Sequence, residues 1–177
     1  MPEQIKITQE TKDNFEEIFE VNRTAFGQDN EAKLVDALRN NQKVFMPELS
    51  LVATDNYKIV GYILFTKIKI RDHNDNYNES LALAPMAVRP EHQKKGIGGQ
   101  LIRRGIAVSR ELGFTSIIVL GHKQYYQKFG FISAERWNIK YPFKLRDNGN
   151  FMAIELINGA LKNTSGTVVY PKEFDNL

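Results

Sequence analysis

The stretch that most constrains this chain is Leu81–Gly99, LALAPMAVRPEHQKKGIGG. An apolar run ends at Val88, Arg89-Pro90 turns the chain, and Gln93-Lys94-Lys95-Gly96-Ile97-Gly98-Gly99 leads into an amphipathic segment. That order reads as strand, loop, helix. Gly96 and Gly98 let main-chain amides crowd where a side chain would block approach. The unpaired N–H groups of a helix's first turn add partial positive charge. Such a loop suits phosphate.

Glycine spacing decides which kind of phosphate loop this is. A dinucleotide fingerprint needs G-x-G-x-x-G directly after the strand, and the residue three beyond Gly98 is Leu101. A nucleoside-triphosphate loop needs Gly-Lys-Ser/Thr, which is absent. Both spacings argue against a nucleotide-binding oxidoreductase or NTPase. What stands here is Gln-x-x-Gly-x-Gly, from Gln93 to Gly98. With Ala87-Val88-Arg89-Pro90 before it and Leu101-Ile102 after it, the pattern resembles the acyl-coenzyme A pyrophosphate loop of the GNAT superfamily of N-acetyltransferases.

Composition sets the outer bounds. A chain of 177 residues, 42% of them hydrophobic, can bury one core, so one domain over 1–177 is expected. With no cysteine there is no disulfide framework, thiol nucleophile or thiolate metal ligand. The opening MPEQIKITQE has no signal-peptide core, and no apolar run approaches membrane-spanning length. A soluble cytoplasmic protein, without a membrane partner, is the expectation. The net charge of +3 is mild and its basic residues are scattered except near the loop. That favours a small anionic ligand over nucleic acid.

In chain order, Ile5–Ile7 reads as a short strand. Phe15, Ile18, Phe19, Asn22, Ala25 and Phe26 then recur at helical spacing, with Thr8 and Thr11 available as caps. After a break at Gly27–Asn30 a second helix runs from Glu31 to Arg39, with Leu34, Val35 and Leu38 on its apolar stripe. Ser50–Thr54 and Ile59–Ile70 read as antiparallel strands joined at Asp55-Asn56, the second bending near Thr66-Lys67. Arg71–Asn78 is a polar loop whose Asp72, His73 and Asp75 mark turns rather than a metal site. Pro85 removes a ladder donor within Leu81–Val88, so a bulge or an edge is expected there. Ile97–Leu112 forms the amphipathic helix, capped by Gly113, and Ile117–Leu120 a buried parallel strand. A short helix closed by Gly130 follows, and the tail holds two strands, Phe151–Leu156 and Thr167–Tyr170.

The resemblance returns at Tyr125-Tyr126-Gln127-Lys128-Phe129-Gly130-Phe131, which matches the family's aromatic-Tyr-x-x-x-Gly-Phe. FMAIEL, GAL and GTVVYPKEF look like the C-terminal extension of a bacterial subgroup of predicted N-acetyltransferases. Together the matches run from about Ile7 to Phe174. They imply an α/β (α+β) GNAT fold: a central mixed, twisted sheet with splayed parallel central strands, flanked by helices. The core would span about 5–132 and a β extension about 133–177. They also imply acetyl-CoA as co-substrate. Pantetheine would insert like a strand against Met86, Ala87 and Val88, and pyrophosphate would lie at Gln93, Lys94, Lys95, Gly96, Ile97, Gly98 and Gly99. The helix-loop-helix of the first forty residues would overhang the acceptor. An asparagine that often precedes the short helix in this family is replaced here by Gly121 and His122.

The implied reaction moves acetyl from acetyl-CoA to a primary amine by direct attack. It needs a neutral amine, a stabilised oxyanion and a proton for the departing thiolate. Tyr126 is the candidate acid, since a phenol with pKa about 10 keeps its proton at neutral pH; a packed aromatic bonded to the main chain is the other reading. Tyr125 reads as the family's core aromatic, and the Val88 N–H as the oxyanion donor. Glu31 reads either as a base acting through water or as an acid complementing its helix dipole. His122 has no identifiable partner in the sequence. Lys94 and Lys95 add attraction for phosphate or are simply solvated. Trp137, Tyr141 and Phe143 line an acceptor pocket, pack in the core or meet a second copy in a homodimer. The acceptor itself stays open among amino acids, polyamines, antibiotics and peptides. A non-catalytic acyl-CoA-binding sensor or interaction module on the same scaffold is the alternative, and the retained Tyr126 and loop argue against it.

Overall fold

The β-branched and aromatic run after Leu49 builds the centre of the sheet. In the computed structural model, which describes residues 4–177, β1 (Lys6–Gln9), β2 (Ser50–Asp55), β3 (Lys58–Arg71) and β4 (Tyr77–Val88) pair antiparallel in sequence. The first three residues of the N-terminal stretch lie outside the described residues. β5 (Ser116–Leu120) lies parallel to β4, and β6 (Ile132–Ser133), β7 (Ile139–Lys140), β8 (Phe151–Glu155) and β9 (Gly166–Val169) complete one nine-stranded mixed sheet. Its path runs β1-β2-β3-β4-β5-β8-β6. β9 pairs with Lys69–Arg71 of β3, and β7 with β9, so the tail extends the sheet beyond the end of β2.

Helices cover both faces: α1 (Phe15–Phe26), α2 (Asn30–Arg39), α3 (Ile97–Glu111) and α4 (Lys123–Tyr126). Strand alternation sorts the side chains. Phe65, Leu81, Leu83 and Ile117 point to the face covered by α3, through Leu101, Ile102 and Ile106. Val52, Tyr62, Leu64 and Ala87 point to the opposite face, under Ile18 and Val21 of α1 and Leu34 and Leu38 of α2. Ile68, Ile70, Ala82 and Ile118 continue that second face and meet Ile139, Leu161 and Val168 from the tail.

Several elements differ from the sequence reading. β3 runs straight through Thr66-Lys67, because Thr66 to Arg71 stay paired with β4 from Ala82 back to Tyr77. The polar loop therefore shrinks to residues 72–76. There the Asp72 carboxylate accepts the N–H groups of Asn74 and Asn76 at 2.8 and 2.9 Å. The turn after β2 sits at Asn56-Tyr57, both with positive φ (48° and 68°), a geometry that matches strand twist. Asp55 remains in the ladder opposite Lys58. On α1 the buried stripe is Ile18, Val21 and Asn22 while Phe26 is exposed, so the face is rotated from the expected one. Leu112, expected on the apolar face of α3, is exposed just past that helix's end. The two-residue strands β6 and β7 are too short to leave a pattern.

α3 lies close to the sheet because Gly105 has no side chain. A Cβ built there would stand 2.1 Å from Cε2 of Phe65, a fully buried ring. Gly105→Ala is expected to lower unfolding free energy by about 1–3 kcal/mol through overpacking, despite alanine's better helix propensity. Urea unfolding measures this, and an unchanged midpoint would mean the ring has room to move.

Candidate active site

The central parallel pair separates almost as soon as it forms. β4 and β5 pair only at Leu81–Ile117 and Ala82–Ile118, while the far edge of β5 stays paired with β8 as far as Leu120–Phe151. Past Ala82, β4 carries one extra residue: Leu83 to Met86 spans three steps where Phe65 to Ile63 spans two. The bulge falls at Ala84-Pro85, where proline lacks the donor. Separation thus begins two residues before the proline rather than after it. Arg89 N–H donates to Val60 O at 2.9 Å, which fixes the phase of the ladder. Alternation then turns the N–H and C=O of Met86 and Val88 away from β3, into the gap that β5 has left.

The loop is fastened to that open edge. Gln93 Nε2 donates to the Val88 carbonyl at 3.0 Å, so this carboxamide braces the loop. Arg89 Nε donates to Ile59 O at 2.8 Å, and its guanidinium stands 3.8 Å from Glu17 on α1. Lys94 and Gly96 both adopt left-handed backbone, φ 62° and 82°, before α3 begins at Ile97. Left-handed residues among right-handed ones turn successive N–H groups into one concavity, a nest for an anion. Lys94, Lys95 and Gly96 are exposed, whereas Ile97 is buried and anchors the loop to the core. A Cβ at Gly98 would lie 2.6 Å from the Tyr125 hydroxyl and 3.4 Å from Met86 Sδ, so strand, loop and α4 converge there. Arg103 brings Nη1 to 3.1 Å from a Cβ built at Gly99 and lies over the Phe129 ring at 5.0 Å. Its position one turn beyond Gly99 was the available signal.

Tyr126 follows from the end of β5. Its ring packs edge-on to Tyr125 (5.2 Å) and Phe131 (5.8 Å), and a Cβ at Gly121 would sit 2.4 Å from Cε2. Glycine at 121 is therefore demanded by the ring. The residue is 8% exposed. Burial, with a smaller contribution from Tyr125, pushes its pKa up. The His122 carbonyl accepts the N–H groups of Tyr125 and Tyr126 at 3.0 and 3.1 Å, while the imidazole is exposed.

On the opposite face, under the bulge, lies a cavity of about 830 Å³. Ala82 and Ala84 of β4 and Ile118 and Leu120 of β5 form its floor. Tyr141, Phe143, Tyr170 and Phe174 wall it. Of the three aromatics singled out in the sequence, Tyr141 and Phe143 line it, whereas Trp137 packs against the tail core. Glu31 does not line it; its carboxylate accepts from Gln28 Nε2 at 3.0 and 3.1 Å. Among the described residues no cluster of His, Asp or Glu could hold a metal ion, and no helix is long and apolar enough to cross a membrane.

Comparison with known proteins agrees with this geometry. The family model described as an acetyltransferase (GNAT) domain matches residues 47–133. The chain is 42% identical over 120 residues to the uncharacterized N-acetyltransferase YjhQ of Escherichia coli K12, covering 68% of this chain and 65% of that relative's length. It is similar to the crystal structure of the GNAT family N-acetyltransferase YhbS from Escherichia coli in complex with CoA. There the TM-score is 0.90, at 27% identity over 99% of this chain and 94% of that one. It is also similar to a GNAT family acetyltransferase from Brucella melitensis in complex with acetyl-CoA. That match has TM-score 0.78 and 30% identity over 98% and 99% of the two chains.

Tyr62, Tyr126 and Tyr170 all have phenols raised above the ordinary value, chiefly by burial. An unfolded chain releases these protons near pH 10, so their contribution to stability is intact below that pH and is lost as pH climbs through the folded values. Urea unfolding free energy is expected to decline above about pH 10, with a shallower decline in Tyr126→Phe. Ultraviolet titration in which all seven tyrosines ionise together while the chain is folded would contradict this placement.

Proposed function

The chain belongs to the GNAT superfamily, and we propose that it transfers the acetyl group of acetyl-CoA to a primary amine by direct attack. The observation that carries this reading is the edge of β4 at Met86 and Val88 that neither β3 nor β5 pairs, beside the loop at Lys94–Gly98, where Tyr125 and Met86 close on Gly98. An extended amide-bearing arm can bond that edge as a strand would. The nest and the first turn of α3 suit the pyrophosphate. Arg103, exposed like Lys94 and Lys95, adds positive charge beside Gly99.

The transfer balances without an enzyme nucleophile. The amine nitrogen attacks the thioester carbon, the carbonyl oxygen takes negative charge, and the outward-turned Val88 N–H stabilises it. Collapse breaks the C–S bond, Tyr126 gives its proton to the thiolate, and the amine loses one to water. Burial keeps the phenol protonated, and the same apolar surroundings make a thiolate formed beside it more basic. Glu31, bonded to Gln28 and away from the cavity, receives no role as base.

Acetyl-CoA at about a hundred times its Kd should stabilise the folded chain by about 2.7 kcal/mol, seen as a raised melting temperature, while NAD and ATP should not. Acetyl-CoA binding without turnover of any amine would favour the sensor reading instead. Tyr126→Phe should cut turnover about a hundredfold and leave acetyl-CoA affinity within about twofold; unchanged turnover removes Tyr126 as the acid. Gly98→Glu puts bulk and negative charge beside Tyr125 and the nest, and should weaken acetyl-CoA at least about a hundredfold. Ordinary affinity in that variant, measured by calorimetry on protein with a normal melt, would mean the loop does not hold the pyrophosphate.

A further inference from the structure

Resting on the transfer reading, we propose that the acceptor is a monoamine with an aromatic or comparably apolar body, an arylalkylamine in chemical class, bound in the cavity beneath the β4 bulge. The cavity, about 830 Å³, is of the size that holds a small molecule. Its wall is a chain of rings: Tyr141 lies 5.9 Å from Phe143 and 5.9 Å from Tyr170, and Tyr170 lies 5.1 Å from Phe174. Leu120, Phe143 and Val169 are 43%, 72% and 41% exposed, and all three border this one cavity. Large apolar side chains left exposed singly need no explanation, but three around one concavity mark a surface meant to be covered.

Charge narrows the class further. Among the described residues the charged side chains of the lining are Arg71 and Asp175 alone. These two opposite charges give the lining no net negative charge, so a polyamine or aminoglycoside would leave several ammonium groups against apolar walls. The floor at Ala82 and Ala84 is small-chained, which leaves the reacting nitrogen room to reach the gap while the body stacks on Tyr141 and Phe143. Attack by the neutral amine forms the C–N bond and breaks the C–S bond. One proton passes to the thiolate and one leaves the nitrogen, giving an N-acetyl arylalkylamine and free CoA.

The test pairs binding with turnover. Phenethylamine, tryptamine, spermidine and kanamycin are compared at equal concentration, by calorimetry on CoA-loaded protein and by thiol release from acetyl-CoA. Phenethylamine or tryptamine should exceed spermidine and kanamycin in kcat/KM by at least about tenfold. Phe143→Ala, at an exposed position that the fold does not need, should raise KM for phenethylamine about tenfold and leave KM for acetyl-CoA unchanged. Phenethylamine binding that Phe143→Ala weakens, without any transfer, would keep this inference and remove the transfer reading. Transfer to spermidine or kanamycin as fast as to phenethylamine would keep the transfer reading and overturn this one. Failure of both arylalkylamines to bind also overturns it, as does indifference of their binding to Phe143→Ala.

Discussion

Everything around the site depends on a parallel pairing that lasts two residues. β4 keeps β3 on both sides of its bulge, and β5 keeps β8, so each central strand is held from its outer side while the inner sides part. A sheet that simply ended there would leave main-chain donors and acceptors without partners, at real cost where water is scarce. Here the open edge is short, and a bulge built on Ala84-Pro85 removes one donor and swings the strand outward. The gap that results runs through the sheet, so a group on one face can meet a group on the other.

Glycines and rings fit one another around that gap. Gly98 gives space to the Tyr125 hydroxyl, Gly121 to the Tyr126 ring and Gly105 to Phe65. In each case a β-carbon would collide with an aromatic side chain. The first two define where α4 sits relative to the loop and to β5, and the third sets the depth of α3. The geometry of the candidate site and its packing are thus the same set of contacts, and the phenol of Tyr126 gains its raised pKa from the burial that positions it.

The tail adds a wall. Residues beyond 133, outside the span matched by the family model, contribute Tyr141, Phe143, Tyr170 and Phe174 to the cavity and hydrogen-bond β3 through β9. The residues that would handle the acyl donor lie within the matched span. Those that would choose the acceptor lie mainly outside it.

The loop, the helix it opens and the bulge at Pro85 were legible in the sequence, because glycine and proline act on the backbone through local sterics that neighbours cannot override. Long periodic elements were legible for a related reason: one buried face imposes a spacing, as in α3 and β5. Tertiary structure alone decided the rest. Arg71–Asn78 looked like loop because its residues are polar, yet Tyr77–Ser80 joins the ladder, since long-range main-chain pairing outweighs weak local preference. Tyr125 is far from Gly98 along the chain, and their meeting depends on how α4 docks on α3. Which face the tail's aromatics would cover, and that Trp137 would turn away from the cavity, depended on pairing between β9 and β3 across about a hundred residues. Sequence therefore carried the glycine loop, whose geometry is local. The cavity beneath the bulge is assembled from distant segments and exists only in the folded chain.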